Sequence, residues 1–411
     1  MRGISVSRLT SQVVMPIRNI IILLICQLIS ATGAIVIVTL GGIIGSKLVT
    51  NPAFATLPVS IMVVAVAATT IPATILMRKI GRRYAFSLSS LCAVISVLIA
   101  AYALYTESFA WFILATGTFG INMAFTQQYR YAAAESVEAR FVPRAISLVL
   151  VGAIGGAILG PELVKYGQYA IPTVQYAGTL LSLSVLFLLQ SVLFLTLGPL
   201  HGEDDETAVQ TQRPLGAIVR QPVFIVAVLG GTVAYGVMTF IMTATPLSMH
   251  IKDGFSLEET AQIIRSHVIA MYAPSLISGY LMERLGVVRM MTIGGFGLVL
   301  ACVIGLQGHS MMHYWYTLVL LGVGWNFLYV GGTTMLTLTY SMSERFKAQA
   351  VNEFSVFGTS AVGSLLAGTI MYVYGWYTLV LVPLPLLVII LAGLYYVRND
   401  PLAGRLSAKS T

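Results

Sequence analysis

The chain of 411 residues is 57% hydrophobic and only 9% charged, and it carries a formal net charge of +8. Soluble domains usually carry about 25% charged residues, so most of the surface of this chain does not face water. The composition excludes an ordinary soluble enzyme and indicates a protein that is embedded in a lipid bilayer.

Long apolar segments follow one another along the whole chain. A helix that crosses a bilayer needs roughly 20 apolar residues, and the apolar runs predict about twelve such spans. The predicted spans in the first half are 19–45, 53–77, 84–105, 109–129, 145–164 and 173–197. Those in the second half are 223–249, 258–282, 290–308, 314–339, 349–373 and 376–397. We therefore predict an all-α membrane protein with two six-helix bundles.

A polar segment separates the two sets of spans. It holds the longest polar interval of the chain, with the acidic run 203–206 near its start. Duplicated transporters are built from two such halves. The pattern predicts an N-terminal bundle over 1–197, a cytoplasmic linker over 198–222 and a C-terminal bundle over 223–411.

Positive charge is distributed unevenly between the two predicted sides of the membrane. If the N-terminus is cytoplasmic, 19 of the 23 Lys and Arg residues fall on the cytoplasmic side. Because positive loops mark that side, both termini are expected in the cytoplasm. The first span has no clear cleavage site and is expected to stay as an anchor. The basic balance thus indicates topology rather than nucleic-acid binding.

Two loops at corresponding positions of the halves share a pattern of glycine and charge. The pattern resembles a loop motif of the major facilitator superfamily, in which an acidic residue and basic residues clamp helix ends in one conformation. In the first half, Arg78 stands where the acid is usual and Thr74 where glycine is usual. The resemblance implies a gating role for Arg78, Gly81, Arg82, Arg83, Gly279, Glu283, Arg284 and Gly286.

Span five carries glycines at 152, 156 and 160, which share one helix face. Small residues at this spacing allow another helix to approach closely. The segment 156–161 also resembles part of the fifth-helix motif of drug/proton antiporters, although the residues that follow depart from it. Helix packing and antiport chemistry are both open at this point.

Two residue pairs in spans seven and eight are spaced for metal binding. Met238 and Met242 lie four residues apart, as do His267 and Met271, so each pair presents two side chains on one helix face. Thioether sulfur selects Cu(I), and imidazole also suits copper. Methionine is equally a common core residue. The spacing therefore indicates a candidate copper site beside a plain packing interpretation.

The same four residues resemble the metal motif of the CcoA-like bacterial copper importers of the major facilitator superfamily. The resemblance implies a secondary transporter that imports copper, as Cu(I), across the bacterial inner membrane for cytochrome oxidase assembly. It implies alternating access, no cofactor, a monomeric chain, and copper carriers on either side of the membrane as partners.

Further polar residues extend these hypotheses. A cluster in the predicted outer loop before span ten could capture copper or be a short polar loop. Its members are His309, Met311, Met312 and His313. Glu162 and Glu353 are the carboxylates that could bind a coupling proton, and both are predicted near span ends.

Other functions remain open within transport. The broader family contains a riboflavin transporter, and Trp325 and Tyr329 could stack an aromatic ring. Drug/proton antiport is a third alternative. The sequence has no G-x-x-x-x-G-K-[ST] loop and no dense set of catalytic groups, so neither ATP-driven transport nor enzymatic activity is expected. The expected partners are membrane lipid and the transported solute.

Overall fold

The computed structural model describes residues 17–48, 57–200 and 213–404, and within these ranges the chain folds into helices joined by short connections. The helices of the first half are α1 (Ile17–Leu48), α2 (Leu57–Tyr105), α3 (Phe109–Thr126), α4 (Tyr129–Glu135), α5 (Val142–Gly167) and α6 (Ala177–Leu195). Those of the second half are α7 (Leu215–Val219), α8 (Pro222–Pro246), α9 (Leu257–Tyr272), α10 (Ser275–Leu285), α11 (Val287–Gly305), α12 (Met311–Thr337), α13 (Arg345–Leu381), α14 (Leu384–Val397) and α15 (Pro401–Gly404).

By length and composition, the described chain holds enough helix for twelve membrane crossings. Nine of its segments are long and apolar enough to span a bilayer. Two of these contain a bend, at Gly81 and at Gly375, that divides them into two arms. The α9–α10 pair, broken at Pro274, supplies the remaining crossing. The observed helices confirm the predicted all-α fold. Helices satisfy their own backbone hydrogen bonds, which a lipid environment requires.

The structure refines several predicted boundaries. Span seven does not end as an α-helix: after Pro246 it continues as a π-helix over Leu247–Lys252. The start of the second predicted span and the acidic run 203–206 lie outside the described residues. The two-bundle division with a cytoplasmic linker stays a prediction in its exact boundaries and its side of the membrane.

Two glycines end helices at equivalent places in the two halves. Gly81 has φ 78° and ψ 159°, and Gly286 has φ 86° and ψ 152°. A side chain strongly disfavours a positive φ, which is why glycine stands at each bend. The two loops that share a sequence pattern thus also share a backbone geometry.

The start of the first span and the end of the sixth span lie together on one face of the molecule. Arg18 Nη2 donates to the carbonyl of Thr196 at 2.7 Å, and the Gly198 N–H donates to Asn19 Oδ1 at 2.9 Å. Gly81 lines a cavity on this side together with Gly198 and Arg345. We name this side the termini face.

The bundles meet across two pairs of helices. The arms of α2 pack against α13, and α5 packs against α10. The polar contacts in these two seams involve Arg82, Glu135 and Arg144, which lie near the helix ends at the termini face. The bundles are therefore held together on that side of the membrane.

Glycines of α5 permit a close contact with α1. A Cβ at Gly152 would lie 2.4 Å from the carbonyl oxygen of Leu24, and one at Gly156 would lie 2.6 Å from Cβ of Ala31. In lipid such close approach supplies the dispersion contacts that join helices. The packing interpretation of this glycine face is confirmed.

We expect Gly152→Ala to destabilise the protein by ~1–3 kcal/mol, because the added methyl group overpacks the α1–α5 contact. The control is Gly368→Ala in α13, where nothing lies within 4 Å of the added atom. That change should stay within ~0.5 kcal/mol of the parent. Thermal unfolding in detergent measures both, and equal midpoints for the two variants would contradict a tight α1–α5 contact.

Candidate functional site

The predicted metal residues lie in the C-terminal bundle. His267 is fully buried, Met238 is 9% exposed, and Met271 is 6% exposed. Both methionines belong to one buried apolar cluster, and Met242 packs against it. The structure therefore buries His267, Met238 and Met271 and packs Met242 against the apolar cluster. A plain apolar core and a metal site would both require this burial.

His267 is oriented by α12. Its Nδ1 bonds the Leu318 carbonyl at 2.7 Å, and a Cβ at Gly322 would lie 2.8 Å from the His267 carbonyl oxygen. Its Nε2 is buried without a hydrogen-bond partner among the described residues. A ring held through Nδ1 with Nε2 unbonded is the usual arrangement of a metal-ligating histidine. Ligation by the four residues stays a prediction.

The predicted outer capture cluster is used to anchor the start of α12. His309 Nδ1 lies 3.0 Å from Asp253 Oδ2, and His313 Nδ1 lies 2.6 Å from the hydroxyl of Ser310, the N-cap of α12. Of the two methionines in this cluster, Met311 packs on the core and Met312 is 54% exposed. Capture of copper by these residues stays a prediction.

The acidic residue that the first-half loop lacks is supplied by α4. Arg82 is 1% exposed and binds Glu135 through two bonds, Nε to Oε2 at 2.7 Å and Nη2 to Oε1 at 2.6 Å. The same Nη2 lies 2.7 Å from Gln349 Oε1 on α13, and Arg345 Nε lies 3.6 Å from Glu135 Oε2. Two arginines and one carboxylate thus join the bundles despite Arg78.

The remaining predicted gating residues divide into two groups. Arg78 and Arg83 are exposed and line an open cavity of ≈ 350 Å³ at the termini face. Glu283 instead pairs with Arg144 of α5 at 2.6 Å, which joins the bundles at a second place. A Cβ at Gly279 would lie 2.7 Å from Cα of Arg144, so glycine is needed for this approach. Arg284, by contrast, is exposed, with its guanidinium over the ring of Tyr280.

The loop before α13 holds the end of the linker. Glu344 accepts bonds from Arg213 Nη2 at 2.7 Å and from the Ser341 N–H at 2.9 Å, and these bonds hold the pKa of its carboxyl at about 2. Because this pKa lies below the unfolded value, the contribution to stability is fully present above about pH 4.5. It is lost as the pH falls from there toward 2.

A third ion pair lies deeper between the bundles. Arg130 of α4 and Glu353 of α13 form a hydrogen-bonded pair whose side chains are 2% and 1% exposed. The guanidinium of Arg130 also lies over the ring of Tyr329, 4.3 Å from its centroid. Removal of one partner from a buried pair leaves an uncompensated charge.

Five aromatic side chains form a cluster beside this pair. Trp325 and Tyr329 stack on each other with centroids 4.8 Å apart, and Tyr235 packs edge-on against both. Tyr272 and Phe357 complete it, at 5.7 Å from Trp325 and 5.2 Å from Tyr235. We name these five residues the aromatic cluster. Tyr235 also packs against a buried group drawn from both bundles, so the cluster lies at their interface.

Sequence reasoning identified part of this site. It named Trp325, Tyr329 and Glu353, and it placed Glu353 near a span end, whereas the structure buries it. It missed Glu135 and the partnership of Arg130, because the partners lie 53 and 223 residues apart along the chain. An arginine at the edge of a predicted span, as Arg130 is beside 109–129, is itself a signal of a buried partner.

Three comparisons relate the chain to known proteins. The sequence profile of the Major Facilitator Superfamily matches residues 23–271 and 244–411. The riboflavin transporter RfnT of Brucella anthropi is 39% identical over 378 residues, which cover 92% of this chain and 95% of that protein. YdeG of Bacillus subtilis, named as an uncharacterized MFS-type transporter, is 28% identical over 376 residues, 86% of each chain.

A solved structure gives the same fold at low sequence identity. The fucose:proton symporter FucP of E. coli superposes with a TM-score of 0.71 at 14% identity, covering 92% of this chain and 98% of that one. A likeness at this identity concerns the arrangement of the helices alone.

We expect Glu135→Gln to open the termini face, because Arg82 and Arg345 lose their shared carboxylate. Breaking a buried ion pair costs ~3–5 kcal/mol. The readout is the alkylation rate of Ser147→Cys, which lies buried between α5 and α10, in a background without the three native cysteines. Glu135→Gln should raise this rate at least ~10-fold.

The matched control is Glu138→Gln. Glu138 pairs with Arg140 at the surface, where the two side chains are 50% and 57% exposed. Exposed pairs contribute little, so this change should leave the alkylation rate within about twofold. Equal rates in the two variants would mean that Glu135 does not hold the bundles together.

Proposed function

The chain belongs to the Major Facilitator Superfamily and is a secondary transporter of that family, and we propose that it imports riboflavin or a similar planar aromatic molecule. Such transporters move two bundles about a central substrate site. We infer from the loop charges that the termini face is cytoplasmic and that the membrane is the bacterial inner membrane.

The aromatic cluster is the observation that supports this substrate most directly. Tyr235 and Tyr272 are partly exposed, while Trp325 and Tyr329 are buried behind them. Aromatic faces bind planar ring systems by stacking or edge-on contact. A planar aromatic ring gains more from such contacts than a sugar or a small ion does.

Two unbonded polar atoms belong to the cluster and to the residue that follows it along α12. Trp325 Nε1 and Asn326 Oδ1 are buried without a partner among the described residues, so a bound molecule could accept from the first and donate to the second. Polar groups of this kind orient a ring that the aromatic surfaces hold. The 39% identity to a protein named as a riboflavin transporter supports the same substrate class.

Copper import for cytochrome oxidase assembly is the second candidate. The unbonded, buried Nε2 of His267 favours it, together with the burial of Met238 and Met271 in one apolar cluster. Imidazole and thioether donors are neutral when empty, which keeps the cost of burial low.

Drug/proton antiport has less support than either. The sequence feature that suggests it is the glycine–proline segment of α5, and the glycines of this segment have a packing role. A Cβ at Gly160, for example, would lie 2.9 Å from Ile35 of α1.

We expect Tyr235→Ala to raise the KM for riboflavin uptake by about 3- to 10-fold, since an aromatic contact contributes roughly 0.5–1.5 kcal/mol. Radiolabelled riboflavin uptake into cells, at equal membrane abundance, measures this. Tyr102→Ala is the control, because Tyr102 is exposed and pairs only with Trp111 among the rings described.

The same cells tested with radioactive copper separate the two candidates. A copper transporter would lose copper uptake in His267→Ala and keep it in Tyr235→Ala. A riboflavin transporter would show weaker riboflavin uptake in Tyr235→Ala and unchanged riboflavin uptake in His267→Ala. Its copper uptake would not exceed that of cells without the protein. Riboflavin uptake equal in cells with and without the wild-type protein would reject the flavin proposal.

A further inference from the structure

Glu353 has one saturated and one unbonded carboxylate oxygen. Its Oε1 accepts from Arg130 Nη2, from the Tyr131 hydroxyl at 2.9 Å and from Asn352 Nδ2 at 2.8 Å. Its Oε2 is buried without a partner among the described residues. Buried polar atoms are nearly always bonded, so an unbonded carboxylate oxygen calls for an explanation. A proton can add to Oε2 without displacing any of the three bonds to Oε1.

Arg130 depends on Glu353 for its counter-charge. Its guanidinium lies against the rings of Tyr131 and Tyr329, at 4.8 Å and 4.3 Å from their centroids. Glu353 is the carboxylate that forms a salt bridge with it among the residues described. Protonation of Glu353 would leave a buried positive charge between the bundles, and an unpaired buried charge is strongly destabilising.

The other ionisable groups around this pair are tyrosines, two arginines and one carboxylate. The tyrosines that face it come from α4, α8, α12 and the loop before α13, and free phenols ionise near pH 10. They are Tyr131, Tyr235, Tyr329 and Tyr340. The seam between α2 and α13 adds Arg82 and Arg345 and the carboxylate of Glu135, which both arginines hold.

Other carboxylates of the described chain are less suited to bind a proton that moves the bundles. Glu162 is exposed on α5. Both oxygens of Glu135 are bonded, within a network of two arginines. Glu283 pairs with Arg144, whose side chain is 41% exposed, so water can solvate that arginine if Glu283 is neutralised.

We propose that Glu353 is the proton-binding carboxylate that couples this transporter to the proton gradient, with Oε2 as the atom that receives the proton. The proposal rests on the proposed transport function and holds for either substrate. The structure corresponds to the deprotonated state, in which the ion pair holds the termini face closed.

The cycle balances in charge and in protons. A proton from water on the opposite face adds to Oε2, the ion pair loses its attraction, and the bundles separate at the termini face. The proton then leaves Oε2 for water on that side, and the pair re-forms. When one substrate molecule crosses in each such cycle, transport of a neutral solute carries one positive charge inward.

The first test uses purified protein in liposomes with radiolabelled riboflavin. Riboflavin exchange without a gradient tests the proposed substrate, and accumulation driven by an inside-alkaline pH gradient tests the coupling. The wild type should do both. Glu353→Gln should still exchange, at an altered rate, and should lose gradient-driven accumulation. Glu162→Gln, the matched control, should accumulate riboflavin as the wild type does.

A second measurement needs no substrate. Spin labels at the exposed positions Glu138 and Arg284, one in each bundle, report the distance across the termini face in a cysteine-free background. Between pH 8 and pH 5.5 the wild-type distance should lengthen. Glu353→Gln should give the longer distance at both pH values, because glutamine mimics the protonated acid.

The outcomes separate the two proposals. Wild-type protein that shows no exchange but opens at low pH would reject riboflavin and support the proton site. Gradient-driven accumulation by Glu353→Gln equal to that of the wild type would overturn the proton site. The same conclusion follows if the spin-label distance in Glu353→Gln still changes with pH as in the wild type.

Discussion

Charges buried between two helical bundles are the constraint on which the rest of this structure depends. Inside a bilayer-embedded protein an arginine has no water to solvate it, so it must meet a carboxylate. The Arg82–Glu135 pair reaches Gln349 and Arg345 of α13. The Arg130–Glu353 pair joins α4 directly to α13. Separation of the bundles at the termini face would break the Arg130–Glu353 pair and remove Gln349 and Arg345 from the Arg82–Glu135 pair.

Close helix packing supports these pairs. Glycines let α5 approach α1 within one bundle and let α10 approach α5 between bundles. In lipid the apolar side chains gain little from one another by exclusion of water, so dispersion contacts and hydrogen bonds hold the helices. Rigid bundles joined by a few buried charges would allow two discrete arrangements, as the proposed alternating access requires.

The ion pair and the candidate substrate site share residues. Tyr329 contacts the guanidinium of Arg130 on one side and stacks on Trp325 on the other. A molecule bound at the aromatic cluster therefore touches the groups that hold the bundles closed. Ligand binding can shift a conformational equilibrium only through such differential contacts. Copper at His267 would act through α9 and α12, one layer further from the pair.

Local patterns in the sequence predict the lipid environment, the helical spans and the two glycine-containing loops. Apolar runs of about 20 residues, the glycines at 81 and 286, and the charged loops around them are local patterns, and local patterns are readable from a single chain. Family resemblance added the transporter fold. It also pointed to copper, whereas the 39% identical relative is named for riboflavin.

Which charges meet depends on the packing of distant helices. Glu135 replaces the acid missing at position 78, and Glu353, predicted at a span end, is buried against Arg130. Tyr235, Tyr272 and Phe357 join Trp325 and Tyr329 from three other helices. These partners are separated by tens to hundreds of residues, and their meeting depends on how the helices pack. The periodicity of one helix records which side chains share a face, but it does not record which distant helix covers that face.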